Sequence, residues 1–502
     1  MSFIDSLMAG ISLVGNFESF AALFIGVAIG TVAGAIPGLS ATMAVALTLP
    51  FTFSMTPITG ILLLLGVYKG GIFGGSIPAI LIKTPGTPAS SATILDGYPL
   101  AEKGQAGKAL GMALWASCTA DLISNLSLIL FAGWLASFAL SFGPPEFFAL
   151  ILFSLTIIAG VSGESLLRGT LSAMLGLLLA TIGLDLIYGT QRFTFENPNM
   201  MGGLNFIAVL IGLFAIPEIM AMVWNPKAHD GKTRALGDDK VTFQDYKNSF
   251  KSIVRGSFIG VFLGSIPGIG AAPSAFLSYS EARRKSKNKE NFGKGEIEGV
   301  AAAEAGNNGV AGATLIPLLA LGVPGDVITA IILGAFMIHG LQPGPMMFVM
   351  NVDIIYGLFI GLIVSSVFLF MIGSVAIRGF KFVADIPRGV LFPAVMVLCI
   401  YGVFAVNNNL FDVGVMFAMG WVGFLMMRFR VPTAPFLIAF ILGPLLEDNF
   451  RQSMLMSGSS PAVLFRGPIT WFFWALTCIT VLAIVRAGIK ASRPSELAKK
   501  EN

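Results

Sequence analysis

Long apolar stretches decide what this chain can fold into. Runs of about twenty predominantly apolar residues, the length that crosses a hydrocarbon core, recur over residues 20–224 and again over residues 253–486. They are rich in Leu, Ile, Ala, Gly and Phe and do not alternate apolar with polar, as barrel strands would, so they read as helices. Counted by length they make roughly ten to twelve spans. Only 12% of the residues are charged, against about a quarter in a soluble domain, and the mean hydropathy is +0.83. Lipid must solvate such a surface. The expected fold is an all-α polytopic membrane protein.

Several function classes fall away. A net charge of +4 suits a membrane protein with basic loops and does not point to nucleic acid. Cys118, Cys399 and Cys478 are far apart in apolar runs, and the only histidines are His229 and His339, so neither a disulfide framework nor a metal site is expected. The first lysine is Lys69 and no arginine precedes it, whereas a signal peptide begins with a basic region; the N-terminus reads as mature protein.

The sequence repeats itself. Gly26, Gly30, Gly34 and Gly38 recur 230 residues later as Gly256, Gly260, Gly264 and Gly268. In the same register Ile36-Pro37-Gly38 matches Ile266-Pro267-Gly268, and Ala41 matches Ala271. Spacing of four puts these glycines on one helical face, where small residues let backbones approach closely. The closing Pro-Gly must break the helix, because proline lacks the amide hydrogen and clashes with the preceding turn. A second register, at 239 residues, pairs Ile77-Pro78 with Ile316-Pro317 and Pro85-Gly86 with Pro324-Gly325. Each half, residues 20–224 and 256–450, therefore holds two broken segments. Residues 225–255 read as a basic cytoplasmic linker, and 465–502 as a last span with a cytoplasmic tail.

Loop charge sets the orientation of the halves. Residues 1–20 carry no lysine or arginine, but their counterpart 225–255 carries seven. Residues 50–57 are uncharged and their counterpart 281–296 has six basic residues; 99–108 has Lys103 and Lys108 and its counterpart 339–353 has none. Basic short loops stay in the cytoplasm, so the halves are expected upside down relative to each other. Inverted repeats with broken helices are a signature of secondary transporters. Since 225–255 and 281–296 both read as cytoplasmic, the stretch between them should enter and return as a hairpin bent at Pro267-Gly268.

Broken helices offer amides to anions at their amino ends and carbonyls to cations at their carboxyl ends. The candidate substrate residues are thus Pro37, Gly38 and Ser40; Thr84, Pro85, Gly86, Thr87 and Ser90; Gly268 and Gly270; and Pro324 and Gly325. One such turn alone would read as an ordinary capped helix start; four in a matched set favour a site. Asn307 and Asn308 align near Tyr68 and Lys69 and join the candidates. Asp326 could hold a coupling cation or cap the following helix, two readings of equal weight. Lys69 could meet a substrate carboxylate or pair with an acid; Asp121, Glu164 and Asp185 read as structural or interfacial, and Asn125 and Glu304 complete the intramembrane polar set.

Residues 74–110 (GGSIPAILIKTPGTPASSATILDGYPLAEKGQAGKAL), 292–326 (FGKGEIEGVAAAEAGNNGVAGATLIPLLALGVPGD) and 339–345 (HGLQPGP) resemble the signature of the TctA family, the large membrane subunit of tripartite tricarboxylate transporters. The resemblance implies a bacterial inner-membrane permease. It implies a small four-helix membrane partner, a periplasmic solute-binding protein, and symport of citrate-like tri- or dicarboxylates driven by sodium or protons, with no other cofactor. A channel, or a cation-coupled transporter of another small organic solute, is the competing class; a channel needs no paired breaks. An enzyme is not expected: no His-Glu-x-x-His or Gly-x-Ser-x-Gly motif occurs, and Gly107-Lys108 is followed by Ala109, which rules out a Walker A loop there.

Overall fold

The structure, a computed structural model, describes residues 3–161, 165–185, 188–224, 239–384 and 388–492. Glu164, His229, residues 225–238 of the basic linker and the tail from residue 493 lie outside the described residues. The first half runs through α1 (Phe3–Gly15), α2 (Phe17–Ala35), α3 (Ala41–Thr48), α4 (Pro57–Gly74), α5 (Ser76–Ile82), α6 (Ser90–Glu102), α7 (Ala106–Ala139), α8 (Pro144–Val161), α9 (Leu166–Ala180) and α10 (Phe206–Trp224). The second runs through α11 (Phe243–Gly264), α12 (Ala271–Lys285), α13 (Ile297–Ala313), α14 (Leu315–Leu321), α15 (Val327–Ile338), α16 (Met347–Met350), α17 (Val352–Ala384), α18 (Arg388–Asn407), α19 (Leu410–Arg428), α20 (Thr433–Met456) and α21 (Pro468–Ser492). Gly183–Leu184 pairs antiparallel with Gln191–Arg192.

Among the described residues, nine helices are long and apolar enough to cross a membrane. The chain is a multi-pass helical membrane protein. α11 and α20 are as long but carry more charge, and α13 is shorter at 17 residues. Helix α1, which packs on α17, was not anticipated from the sequence. The apolar run 390–428 divides into α18 and α19 at Asn408, which holds a left-handed φ of 51°; asparagine tolerates that conformation better than most residues.

The sequence repeat is a repeat of backbone detail. Helix α14 begins and ends 239 residues after α5. Both end on a left-handed residue at that offset, Lys83 (φ 59°) and Gly322 (φ 72°). The next amide folds back identically, Thr84 donating to Pro78 O at 3.3 Å and Val323 to Pro317 O at 3.2 Å. Gly38 and Gly268 carry φ of 94° and 86°.

Glycine faces bring the helices together as expected. A Cβ on Gly26 or Gly30 would strike the carbonyl oxygens of Leu63 or Val67, and one on Gly66 would lie 2.7 Å from Leu23 O. Helices α2 and α4 thus pack backbone to backbone, and α11 and α13 do likewise through Gly260 and Gly309. Both α4 and α13 are buried on every side, from Ile58 to Gly74 and from Gly299 to Ala313. A helix buried all round belongs to the interior, so these repeat mates form the core. The hairpin expected at Pro267-Gly268 is present: Ser278 Oγ of α12 donates to Gly256 O of α11 at 3.4 Å, and Arg255 faces Glu281 at 4.0 Å.

Two compact units emerge, residues 1–140 with 205–424, and residues 141–204 with 425–502. The first holds every Pro-Gly break. In the second, Arg451 clasps Asp185 at 2.5 and 3.1 Å, and Arg192 donates to Glu447 at 2.7 Å. Asp185 is therefore structural, as its sequence context suggested.

Candidate functional site

In the second half the two breaks touch, and in the first the later break folds onto α2 and the end of α4. Gly86 donates its amide to Gly75 O at 3.1 Å, and a Cβ on Gly86 would lie 2.6 Å from Gly75 Cα and closer still to Gly34 O. In the second half Gly268 donates to Gly325 O at 2.8 Å, and a Cβ on Gly325 would lie 2.8 Å from Thr314 Cβ. Each Pro-Gly turn, at Pro85 and at Pro324, folds onto the kink between the two helices that precede it. The third residue of the second helix in each pair, Pro78 or Pro317, cannot donate to the helix behind it, which opens that kink.

Many hydroxyls at the turns are used locally. Ser40 accepts from the Met43 amide at 3.1 Å, capping α3, and lies beside Glu218 of α10. Thr87 and Ser90 cap each other, with Thr87 N to Ser90 Oγ at 3.1 Å and Ser90 Oγ to Thr87 O at 2.8 Å. Asp326 caps α15 by accepting from Thr329 N at 2.7 Å and Thr329 Oγ1 at 2.8 Å. Pro37, Gly38 and Gly270 are partly exposed, whereas Pro324 and Gly325 are buried. The turn Lys83–Pro88 is the most open, with Lys83, Pro85 and Pro88 exposed and the Lys83 ammonium 5.4 Å from the Tyr98 ring. Lysine in the left-handed region is strained where Gly322 is not, a cost met mostly at functional positions.

The intramembrane polar residues form separate groups. Lys69, 1% exposed, donates to Asp121 at 2.8 and 3.0 Å and to Asn125 at 2.8 Å, and Ser366 closes on Asp121 at 2.6 Å. Of the two readings of Lys69, the structure shows the pairing with an acid. Glu304 accepts from Ser76 at 2.6 Å, from Thr93, from Ser117 at 3.2 Å and from Asn308 at 3.3 Å. Asn308 also donates to Ser117 at 2.8 Å.

Asn307 differs from all of these. It is 1% exposed, and both its amide atoms are buried without a hydrogen-bond partner. Its position follows from helix register. Ala303, one turn earlier, packs with Ala89, Ala92 and Ala275, and Glu304 faces Ser76 and Thr93, so Asn307 lies on the face toward α6 and the start of α12. The repeat gives the same answer. The mate of Asn307 is Tyr68, whose hydroxyl donates to Asp326 at 3.0 Å and sits 3.3 Å from Thr314. The mate of Asp326 is Thr87. Tyrosine reaches the turn of the second half and fills the gap; asparagine, shorter, faces the turn of the first half and leaves its amide unbonded.

Sequence reading missed Ser76, Thr93 and Ser117, which gain meaning only through Glu304. It also missed Glu218, an acid following Pro217 in an apolar run, whose Oε2 is buried without a partner. An intramembrane carboxylate is signal enough to have flagged it.

Two wholly buried repeat helices, paired breaks and buried polar groups define a multi-pass membrane protein with a polar interior. The chain belongs to the tripartite tricarboxylate transporter TctA family, whose profile matches residues 20–438; this is a transporter family. It is 35% identical over 493 residues, 98% of both chains, to an uncharacterized 52.8 kDa protein in the TAR-I ttuC' 3' region of Agrobacterium vitis. It is 34% identical over 234 residues, 47% of this chain and 97% of the relative, to an uncharacterized protein in the TAR-II ttuC' 3' region of the same organism. No solved structure matches the chain.

Proposed function

We propose that the chain is the permease subunit of a binding-protein-dependent secondary transporter in the bacterial inner membrane, importing tri- or dicarboxylates on a sodium or proton gradient. A periplasmic solute-binding protein delivers the anion and a small four-helix membrane subunit completes the complex. The observation that carries the reading is Asn307: a buried amide without a protein hydrogen-bond partner is costly unless something else completes it, and a ligand carboxylate suits it. The substrate lies between Asn307 and the open turn Thr84–Ser90, with Lys83 as the nearby cation. Pro37, Gly38 and Ser40 with Gly268 and Gly270 border this space, while Pro324, Gly325 and Asp326 form the sealed counterpart behind Tyr68.

The test is uptake of labelled citrate, tartrate and succinate by proteoliposomes holding all three subunits, with sodium and pH gradients imposed separately. An amide bonded to a carboxylate contributes about 1.5–3 kcal/mol, so Asn307→Ala should weaken apparent affinity roughly tenfold to a hundredfold. Asn307→Tyr, which copies Tyr68, should abolish uptake. Wild-type uptake by both variants removes the site.

A further inference from the structure

Glu304 is 0% exposed, and no ion pair to it is found among the described residues. The buried ammonium of Lys69 is already neutralised by Asp121. A single buried carboxylate without a counter-charge is expensive. Its surroundings are nonetheless built. Ser76 from α5, Thr93 from α6 and Ser117 from α7 converge on the carboxylate that α13 supplies, and Asn308 ties Ser117 to Glu304.

We propose that Glu304, Ser76, Thr93 and Ser117 form a sodium-binding site, and that this ion is the one coupled to transport. Only that last clause rests on the reading above. Five oxygens converge from four helices. The set contains no sulfur and no imidazole, so it is hard and suits an alkali or alkaline-earth ion. One carboxylate balances one charge, and Glu304 is the single acid of this set, which favours a monovalent ion. Ser76 and Ser117 now stand at hydrogen-bond distance from the carboxylate, 2.6 and 3.2 Å, so the hydroxyls must draw back to admit an ion, and a small cation asks for the least movement. A proton would need one acceptor, not three hydroxyls brought in from separate helices. Each hydroxyl now donates to the carboxylate; turning the hydrogen outward presents its lone pairs to an ion between them.

Placement supplies the coupling. Ser76 opens the helix that leads to the Pro85-Gly86 turn, and Thr93 lies in the helix that leaves it. Glu304 and Asn308 flank Asn307 on one helix. An ion that draws Ser76 and Thr93 toward α13 fixes the turn facing Asn307, so sodium and anion should each raise the other's affinity by the same factor.

Binding is measured on the purified full chain in detergent, without partners or substrate, by thermal unfolding in sodium, potassium or choline chloride at equal ionic strength. Tm should rise with sodium alone. Glu304→Gln, which keeps the shape and most hydrogen bonds, should abolish the rise. Ser76→Ala and Ser117→Ala should shift its midpoint to about tenfold higher sodium, and they carry the test if Glu304→Gln does not fold. No sodium-dependent rise in the wild type overturns the proposal, as does a rise that survives Glu304→Gln or is lost only in Asp326→Asn. Acid stabilisation in sodium-free buffer that depends on Glu304 would mark a proton site and overturns it too. Citrate uptake driven by a pH gradient alone would leave the transport function standing and overturn the coupling of this ion to it.

Discussion

At the scale of residues, the buried charges separate architecture from function. Lys69 and Asp121 are each 1% exposed and bonded to one another, to Asn125 and through it to Ser366. Such a pair repays its desolvation only while both partners are present. Lys69→Met should therefore cost about 3–5 kcal/mol, seen as a lower Tm in detergent, and adding Asp121→Asn should restore most of it. Equal Tm for the single variant and the wild type would contradict a net structural role. Both residues stand out in the sequence as intramembrane charges, yet the pairing does not, because 52 residues separate them. Asp326 was more legible. An Asp three residues before Thr329 writes a capping box, and of its two readings the cap is present. The contrast of Tyr68 with Asn307 was legible only as an alignment; which of them reaches its turn depends on side-chain length in three dimensions.

At the scale of elements, the broken helices were readable because proline and glycine act locally. The meeting of the breaks was not, since it depends on how α2 packs on α4. Gly86 and Gly325 mark those closest approaches, where a side chain would collide with backbone at Gly75 or with Thr314. Gly86→Val and Gly325→Val should each abolish citrate uptake by the reconstituted complex. Membrane insertion, read by protease protection, should be unchanged. Normal uptake by both variants would detach the turns from transport. The hairpin of α11 and α12 was legible for a different reason, the charge of the loops at its two ends.

At the scale of the whole molecule, we propose that the halves are inverted, and the loop charges make this testable. Ser54 is exposed in the loop after α3, and Lys287 is exposed after α12. Neighbouring Ser286 is buried and donates to Glu298 at 2.6 Å, so it would resist labelling. In a background lacking the three native cysteines, Ser54→Cys should label from the periplasm and Lys287→Cys from the cytoplasm. Labelling of both from one side would remove the inversion. The compact units were not legible: they regroup 141–204 with 425–502, segments far apart in sequence whose kinship rests on pairs such as Asp185 with Arg451.

The glycine seam between α2 and α4 has a mechanical meaning. Gly26, Gly30 and Gly34 receive the carbonyl ridge of α4, and Gly66, Gly70 and Gly74 receive that of α2. These notches recur once per turn, so a slide of half a turn would drive Leu23 and Val27 into backbone. The two helices behave as a single girder with interlocking teeth. Any rearrangement of the molecule that keeps this seam would carry α2 and α4 together as one piece.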